Sequence, residues 1–456
     1  MVDQVVSRAS APPESGRPSS GGAAAAPPPE PRINAEALQK RVDRAAYFSV
    51  FSMPDESGAG APIRAGDGRI IGVRVSEILH RFAVTVEPPA RERRPPAWKV
   101  DGILQPTSRD RPLTASNTVG EAVGQFTHRW VVVPPDYVAR PGQEPPPTAL
   151  DPSRSQRFVM LDSICRFGAG QDCFHGFGTG QTFPMTVNGR RDLLAVAIGT
   201  VLEGFGKFKG GEESTYVYCG SLSVEQGFTG NILLRVMDPG GAIPTSSDLP
   251  AIESRHHPEP GITYVVFRGE AIPSDAVTPR MGANGQLEGL DVNQGLRLLH
   301  LDCAVGGHAG LRASARVGEV IGRILAHVTF NPAAPGGTSL DPIPFTTVDE
   351  FTFHDRDGQL VGTFTGDSSE GRLFNTMVAG QKGIRFGGTG RLLGGTGPFD
   401  GIEGLLTDNS VVIFTPHVSA SVYVLRINDP EGRFRAFAEY TREKENSEDK
   451  RRRCCR

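Results

Sequence analysis

The central part of the chain is a long succession of short, strand-like runs separated by turn residues. From residue 155 the runs include "RFVMLDSI", "DLLAVAIGTVL" and "TYVVFRGEAI", and after residue 313 they resume with "GEVIGRILAHVTF", "FTTVDEFTFH" and "SASVYVLRIND". Gly, Asp, Asn and Pro bound most of these runs, which is typical of antiparallel sandwiches and barrels. Helical periodicity is clearest near residues 33–48. The sequence therefore predicts an all-β fold.

An internal repeat divides this β-rich region into two copies. Identical residues recur at a constant offset of 191 positions, pairing Gly199, Leu202, Gly204, Gly206, Phe208, Leu234, Arg235, Asp238 and Pro239 with Gly390, Leu393, Gly395, Gly397, Phe399, Leu425, Arg426, Asp429 and Pro430. One offset shared by Leu, Phe, Arg and Asp-Pro indicates duplication of a fold. We predict two tandem antiparallel β-barrels, at residues 43–275 and 276–441. Residues 84–156 contain proline-rich stretches that predict long loops or lids over the first barrel.

The charge balance and the cysteine content restrict the class of protein. Lys and Arg number 48 and Asp and Glu 51, so the formal net charge of −3 lacks the basic excess that neutralises nucleic-acid phosphates. Six cysteines at irregular spacing in 456 residues are typical of a reducing compartment. No run approaches the roughly 18 apolar residues of a membrane-spanning helix. We expect a cytoplasmic protein with no nucleic-acid or membrane partner, and homo-oligomerisation stays open.

Both ends of the chain have the composition of tails. Residues 1–42 are rich in Pro, Ala, Ser and Gly and predict a disordered segment, because they cannot bury enough apolar surface to offset chain entropy. Their low acidic content leaves a targeting peptide as an alternative, although proline runs oppose the amphipathic helix that such a peptide needs. Residues 442–456 form a charged run that we expect to be solvated.

The stretch "GTGRLLGGTGPFDGIEG", residues 388–404, has two alternative interpretations. A P-loop requires G-x-x-x-x-G-K-[ST] before a helix, and a dinucleotide fingerprint requires G-x-G-x-x-G between a strand and a helix. Here the glycine spacing fits neither motif, and the residues that follow, "LLTDNSVVIF", are strand-like. We therefore predict glycine-dependent bulges and bends at a barrel corner, with Phe399 and Leu393 filling the inside.

The same stretch resembles the glycine-bounded strand, turn and strand of the allene oxide cyclase and dirigent superfamily of β-barrels. The resemblance covers residues 385–430 well and residues 195–240 more loosely, where "GTVLEGFGKFKG" has no counterpart of Thr396. It implies an eight-stranded antiparallel barrel with an apolar cavity, no cofactor, and control of ring closure or radical coupling in hydrophobic small molecules. Members of that superfamily usually carry one barrel per chain, and none of their catalytic residues matches a position in this chain.

Three titratable side chains are candidates for acid–base chemistry. Glu350 and His354 are four residues apart in a predicted hairpin strand, so they share one face of that strand and can serve as acid and base. An exposed cross-strand pair is the alternative. Glu403 follows the glycine bend and either projects into the barrel mouth or lies in an exposed turn.

The repeated arginines and Phe399 are candidates for substrate binding. Arg235 and Arg426 alternate with apolar residues, and each lies either on a solvated outer face or in a cavity, where it would anchor a carboxylate or enolate. Metal binding is the less favoured interpretation of the stretch that contains Cys165, Cys173 and His175, because the C-x-x-C spacing of zinc sites is missing. We therefore expect no metal.

These observations lead to one main hypothesis and two alternatives. We expect a cofactor-free cyclase or isomerase of specialised metabolism that binds a hydrophobic small-molecule intermediate and steers its ring closure, with the second barrel active. The first alternative is a non-catalytic small-molecule-binding or scaffold protein, whose barrels are filled by side chains. The second is a metal-dependent enzyme.

Overall fold

The computed structural model of the chain describes residues 35–435, except for short gaps. The gaps lie at 43–44, 56–59, 92–98, 101–102, 105–109, 112, 188–189, 212–213, 224–226, 239–240, 247–248, 253–257, 273–276, 307–309, 332–342, 379–380 and 415–416. Residues 1–34 of the predicted disordered tail (1–42) and the predicted charged tail at 442–456 lie outside the described residues. Residues 35–42 form a helix, so the prediction of disorder is wrong for this end of the segment.

Long β-strands make up most of the regular structure. The first half of the chain forms β1 (Ala46–Pro54), β2 (Ala61–Arg64), β3 (Ile70–Glu87), β4 (Ala90–Arg91), β5 (Lys99–Val100), β6 (Ile103–Leu104), β7 (Asp110–Arg111), β8 (Thr114–Val132), β9 (Gln156–Phe167), β10 (Asp172–Val187), β11 (Arg190–Phe205), β12 (Thr215–Ser223) and β13 (Gly227–Val236). The second half forms β14 (Ile262–Ala271), β15 (Val277–Met281), β16 (Leu287–Gly306), β17 (Gly310–Phe330), β18 (Ile343–His354), β19 (Leu360–Val378), β20 (Gln381–Gly395), β21 (Gly404–Phe414) and β22 (His417–Asn428). A helix, α1 (Ala35–Val42), precedes β1.

The strands pair in two antiparallel rings. In the first ring β1, β3, β8, β9, β10, β11, β12 and β13 pair in that order, and β13 pairs back onto β1. In the second ring β14, β16, β17, β18, β19, β20, β21 and β22 do the same, and β22 pairs back onto β14. Each of the sixteen ring strands thus has a neighbour on both sides, so among the described residues neither ring itself ends in an edge strand. The prediction of an all-β chain with tandem antiparallel barrels is confirmed.

The proline-rich stretches of residues 84–156 flank a central strand of the first barrel. This strand, β8, has nineteen residues and is free of proline. Proline is confined to the flanking connections because it cannot donate a ladder hydrogen bond. The strand β14 precedes the predicted domain boundary at residue 275 and pairs with β16 and β22 of the second ring.

The duplication is visible in the backbone. Gly206 and Gly397, which are 191 positions apart, have φ values of 61° and 60°, a left-handed conformation that favours glycine. Each begins a one-turn 3-10 helix, Gly206–Phe208 or Gly397–Phe399, that ends in a fully buried phenylalanine. The repeated glycines are thus explained by two equivalent bends and not by a phosphate loop.

The two barrels pack side by side through their outer faces. Arg81 of β3 is buried and makes a bidentate ion pair with Asp302 of β16, at 2.8 and 2.7 Å. One backbone pairing, Leu301 with Val84, also joins the two rings. The apolar face of α1 crosses to the second barrel, where its leucine and valine contact four apolar residues of β21 and β22: Val411, Ile413, Val418 and Ala420.

Candidate functional site

The interior of the first barrel contains one carboxylate in a run of apolar positions. Alternate residues of β3 point inward, and Val73, Val75, Glu77 and Leu79 are all essentially inaccessible to solvent. Residues with this parity form a core that also holds Phe48, Trp130 and Phe126. A carboxyl group in this position is costly unless it is hydrogen-bonded or neutral.

Glu77 is held by one hydrogen bond and is neutral at physiological pH. The Tyr218 hydroxyl on β12 donates to Glu77 Oε2 at 2.8 Å, whereas Oε1 has no hydrogen-bond partner among the described residues. Burial raises the pKa of Glu77 from 4.5 to about 8, although the hydrogen bond from Tyr218 opposes the shift. Burial also raises the pKa of Tyr218 well above its usual value, so this hydroxyl remains a donor.

A neutral imidazole lies next to this pair. His128 of β8 is the cross-strand neighbour of Val75, and its ring centroid is 5.6 Å from that of Tyr218. Burial lowers the pKa of His128 to about 3, so the ring carries no charge at pH 7. Within the described part of the chain, neither His128 Nδ1 nor Trp130 Nε1 has a hydrogen-bond partner. Buried polar atoms without partners are rare and point to a function or a bound molecule.

A small cavity adjoins His128 and Tyr218, whereas Glu77 is not among the residues that line it. Its volume is about 10 Å³, close to the space that one water molecule needs. The lining is mostly apolar and consists of His128, Trp130, Phe158, Met160, Ala195, Tyr218, Leu222 and Phe228. The arrangement thus combines a neutral acid, a neutral imidazole and a hydroxyl in an apolar enclosure. We refer to Glu77, His128 and Tyr218 as the Glu77 cluster.

The second barrel is filled by aromatic rings and by buried polar side chains, several of which are hydrogen-bonded to one another. Phe351, Phe353, Phe364 and Phe399 stack at ring distances of 4.5 to 5.6 Å. Beside them lie the buried carboxyls of Asp349 and Asp408, together with Gln294, Ser410, Ser419, Ser421 and Tyr423. Burial raises the pKa of Asp349 to about 7 and that of Asp408 well above its usual value.

The structure places the predicted acid–base residues on the outside of the second barrel. Glu350 and His354 do share one face of β18, but that face is exposed or half-buried, and the opposite face carries Phe351, Phe353 and Asp349 into the core. Glu403 is exposed in the turn after the second 3-10 helix. None of the three approaches the Glu77 cluster, and their proposed roles stay predictions.

The repeated arginines lie between the barrels, a position that the two sequence-based alternatives did not include. Arg235 is flanked by Leu234 and Val236 of the first core, but its Nε donates to the Tyr47 hydroxyl at 3.0 Å, on the side that faces the second barrel. Arg426 Nη2 donates to Glu259 Oε1 at 3.2 Å.

Both guanidinium groups are buried, and Arg426 also contacts the first barrel, since its Nη2 donates to Ser221 Oγ of β12 at 3.1 Å. Both arginines therefore serve the interface and do not line either interior.

The two hydrophobic residues of the glycine stretch have different environments. Phe399 is fully buried in the second barrel, in contact with Phe353 and Phe364. Leu393, by contrast, is 54% exposed, so the expectation that it fills the inside is wrong. The side chain of Leu393 points outward because it is adjacent in β20 to the buried Leu392, and neighbouring strand residues face opposite sides.

The cysteine- and histidine-containing stretch has no metal-site geometry among the described residues. Cys165 is buried, whereas the side chain of His175 is 46% exposed, with its Nδ1 3.6 Å from Glu203 Oε2. No group of three or more His, Cys, Asp or Glu side chains in the described part of the chain is arranged to hold a metal ion.

Comparisons with known proteins returned no relative. Neither protein-family models, curated proteins nor solved structures match this chain. Among the described residues, no helix is both long enough and apolar enough to cross a lipid bilayer.

The Glu77 cluster was missed by sequence reasoning, but its main residue left a signal. In "VRVSEIL" the residues Val73, Val75, Glu77 and Leu79 share one parity, so a titratable residue occupies the apolar face of a strand. The same signal is present at Asp349, which alternates with Phe351 and Phe353. The prediction relied on residue type and selected Glu350 and His354 because an acid and a histidine share one strand face. The register of the strand, however, determines which side chains enter the core.

Proposed function

We propose that the first barrel binds a hydrophobic small molecule and that Glu77 is the general acid for its ring closure or isomerisation, without a cofactor. The observation that carries the proposal is a carboxyl group that is neutral at pH 7 inside an apolar barrel, with one oxygen unpartnered among the described residues. Shifted pKa values in enclosed sites mark groups that exchange protons. The resemblance of residues 388–404 to the allene oxide cyclase and dirigent superfamily also supports this proposal.

The chemistry requires only groups of this chain. Glu77 transfers its proton to a carbonyl or ether oxygen of the ligand, and the π bond of that carbonyl or the C–O bond of that ether breaks as the π pair of an alkene in the same ligand forms the new bond to the carbon. The resulting Glu77 carboxylate is stabilised by the hydrogen bond from Tyr218. It recovers a proton from the carbon next to the cationic centre, and the electron pair of that C–H bond becomes a C=C bond of the product. Neutral His128 provides either a donor or an acceptor that orients the ligand oxygen.

The equivalent position in the second barrel lacks the acid. In the first barrel Tyr47 pairs with Arg235, and five residues later Ser52 pairs with Leu79. In the second barrel Tyr264 pairs with Arg426, and five residues later Gly269 pairs with Leu296. Two residues before these leucines stand Glu77 and Gln294, respectively. An amide cannot transfer a proton in this way. The second barrel also contains buried carboxyl groups, Asp349 and Asp408, but at other positions. A cavity borders the cluster of the first barrel at His128 and Tyr218, so the first barrel is the one that we propose to be active.

Ligand entry requires side chains to move. The cavity of about 10 Å³ holds no more than one water, whereas small-molecule pockets measure roughly 300–1,000 Å³. Leu222 and Phe228 lie at the end of the barrel, next to the β12–β13 connection, and their displacement would enlarge the cavity.

A non-catalytic scaffold is the second candidate, and the aromatic packing of both interiors favours it. In that case, the fully buried Phe353 and Phe399 and the other rings are the final contents of the barrels.

The fluorescent apolar probe N-phenylnaphthylamine separates the two candidates. A binding barrel gives a saturable fluorescence increase, and a Leu222→Trp variant that fills the cavity reduces it at least several-fold. No saturable binding to the folded wild-type protein would establish the scaffold candidate.

Turnover of ligands found in a small-molecule screen then tests the acid. We expect Glu77→Gln to bind these ligands and to lose at least 100-fold in rate, in line with the usual contribution of general acid catalysis. The wild-type rate falls as the pH rises through about 8, because Glu77 loses its proton. Glu431→Gln, an exposed control with no proposed role, keeps the wild-type rate. Equal rates for Glu77→Gln and the wild type would rule out Glu77 as the acid.

A further inference from the structure

The two copies of the duplicated fold differ at one buried charge. In the second copy, Glu259 Oε1 accepts a hydrogen bond from Arg426 at 3.2 Å, and its Oε2 accepts one from the Tyr264 hydroxyl at 2.6 Å. Glu259 lies five residues before Tyr264. Five residues before the equivalent Tyr47 stands Val42, an apolar residue of α1. The first copy therefore lacks the carboxylate at this position.

Arg235, the counterpart of Arg426 in the first copy, is a buried cation without a counter-ion. Its side chain is only 1% exposed, and its Nε donates to the Tyr47 hydroxyl at 3.0 Å. Among the residues that the structure describes, neither Nη1 nor Nη2 of Arg235 has a hydrogen-bond partner, and no carboxylate forms an ion pair with this guanidinium. A guanidinium cannot lose its proton, and a buried charge without a partner is strongly unfavourable. The position thus calls for a negative charge that these side chains do not supply.

Further hydrogen-bond donors lie at the same junction of the two barrels. Tyr47 and Thr215 are the direct cross-strand neighbours of Arg235, so the three side chains share one face of the first barrel. The Thr215 hydroxyl donates to Oδ1 of the buried Asn409 in the second barrel at 2.8 Å, whereas Asn409 Nδ2 has no partner within the described part of the chain. The Tyr47 hydroxyl accepts from Arg235 and keeps its own proton to donate. These side chains together offer N–H and O–H donors but no negatively charged acceptor.

We propose that the interface between the barrels binds a small monovalent inorganic anion such as chloride, held by Nη1 and Nη2 of Arg235 and by Nδ2 of Asn409. A monoatomic anion suits this position because it occupies little space, and charge-assisted hydrogen bonds from the guanidinium replace its hydration. The anion does for Arg235 what Glu259 does for Arg426. The site lies apart from the Glu77 cluster, and its occupancy does not depend on catalysis in the first barrel.

Calorimetric melting of the full-length protein in gluconate, with chloride substituted stepwise at constant ionic strength, tests the site. Gluconate serves as the reference because it is too large for a buried position between packed strands. An anion that binds only the folded state stabilises it, so we expect the Tm of the wild type to rise saturably with chloride by at least about 2 °C. Arg235→Met, which keeps the apolar length of the side chain, abolishes the rise. The matched control Arg356→Met removes an exposed arginine and keeps the full rise. A wild-type Tm that does not depend on chloride would overturn the proposal.

Asn409→Asp tests the location and keeps the proposal falsifiable if Arg235→Met does not fold. This nearly isosteric change supplies a carboxylate beside Arg235 and retains an oxygen for the hydrogen bond from Thr215. We expect Asn409→Asp to raise the Tm in gluconate and to remove the dependence on chloride. Wild-type crystals soaked in bromide should show anomalous scattering within hydrogen-bond distance of the Arg235 Nη atoms. A chloride dependence that Asn409→Asp leaves unchanged, or bromide that binds only elsewhere, would contradict the assignment.

Discussion

Glu77 lies on the core-facing side of β3, and this one side chain places a protonated carboxyl group in an otherwise mostly apolar interior. Its neighbours of the same parity are valine and leucine, so the carboxyl group receives little solvation and retains its proton at neutral pH. The exposed Glu350, one residue from the buried Asp349, has no such environment. A shift of one residue along a strand therefore separates a solvated carboxylate from a buried acid.

The stability of the protein should depend on pH through Glu77. Its pKa is about 8 when folded and about 4.5 when unfolded, so its favourable contribution is complete below pH 4.5 and is lost as the pH rises to about 8. We expect Glu77→Gln to raise the free energy of unfolding relative to the wild type by a few kcal/mol at pH 8 and by much less at pH 4.5, since one pKa unit corresponds to about 1.4 kcal/mol.

Chemical denaturation of both proteins at the two pH values measures this difference. Glu350→Gln serves as the exposed control and should change stability by no more than about 0.5 kcal/mol, because its side chain lies on the exposed face of β18. A difference between Glu77→Gln and the wild type that does not vary with pH would contradict the assigned ionisation.

At the scale of the elements, the glycines of β11 and β20 are required by close packing at equivalent points. A Cβ at Gly390 would overlap the carbonyl oxygen of Asp367 on β19, and a Cβ at the equivalent Gly199 would overlap the Tyr216 ring. Gly295 of β16, in contrast, has open space where a Cβ would lie. Glycines in different strands therefore differ in whether they tolerate a larger side chain.

Alanine at these positions should separate the two cases. Gly390→Ala should destabilise the protein by more than about 2 kcal/mol, because the strand backbone must shift to remove the overlap. Gly295→Ala should be neutral within about 0.5 kcal/mol, since its side chain enters open space. Urea denaturation gives both values, and comparable losses for the two variants would show that the close approach between β19 and β20 relaxes at little cost.

The glycine repeat and the alternation of apolar residues were sufficient to predict strands, two copies and antiparallel barrels. The predicted helix near residues 33–48 was only partly confirmed, because α1 ends at Val42 and "AYFSVFSMP" forms β1. This segment pairs with β3 and β13, which are distant in the sequence, so tertiary contacts and not local periodicity decide its structure.

The candidate site was harder to predict for a similar reason: the cluster joins Glu77, His128 and Tyr218 from three strands, and no single run of sequence contains them.

At the scale of the whole molecule, buried ion pairs connect the two barrels and their linker. Glu259, in the connection between β13 and β14, accepts hydrogen bonds from Arg426 at 3.2 Å and from the Tyr264 hydroxyl at 2.6 Å. Arg426 is only 1% exposed. Removal of the carboxylate therefore leaves a buried cation without its counter-ion.

Glu259→Ala should cost about 3–5 kcal/mol of folding stability, the usual effect of breaking a buried ion pair. The double variant Glu259→Ala with Arg426→Met should recover a large part of this loss, because the unpaired charge is no longer present. Arg356→Ala, which removes one partner of the exposed Arg356–Glu319 pair, should cost no more than about 1 kcal/mol. Calorimetric melting of the variants checks the order, and an additive double variant would show that the two side chains are not coupled.

The packing of α1 on the second barrel has a consequence for the order of events during synthesis. The helix leaves the ribosome before any barrel strand, whereas the surface that it covers, residues 411–420, is made more than 350 residues later. The first ring can close as soon as β13 pairs with β1, since N-terminal units generally fold first. Throughout that interval Leu38 and Val42 lack the surface that they cover in the folded protein, so this short helix can attach only after both β21 and β22 have been made.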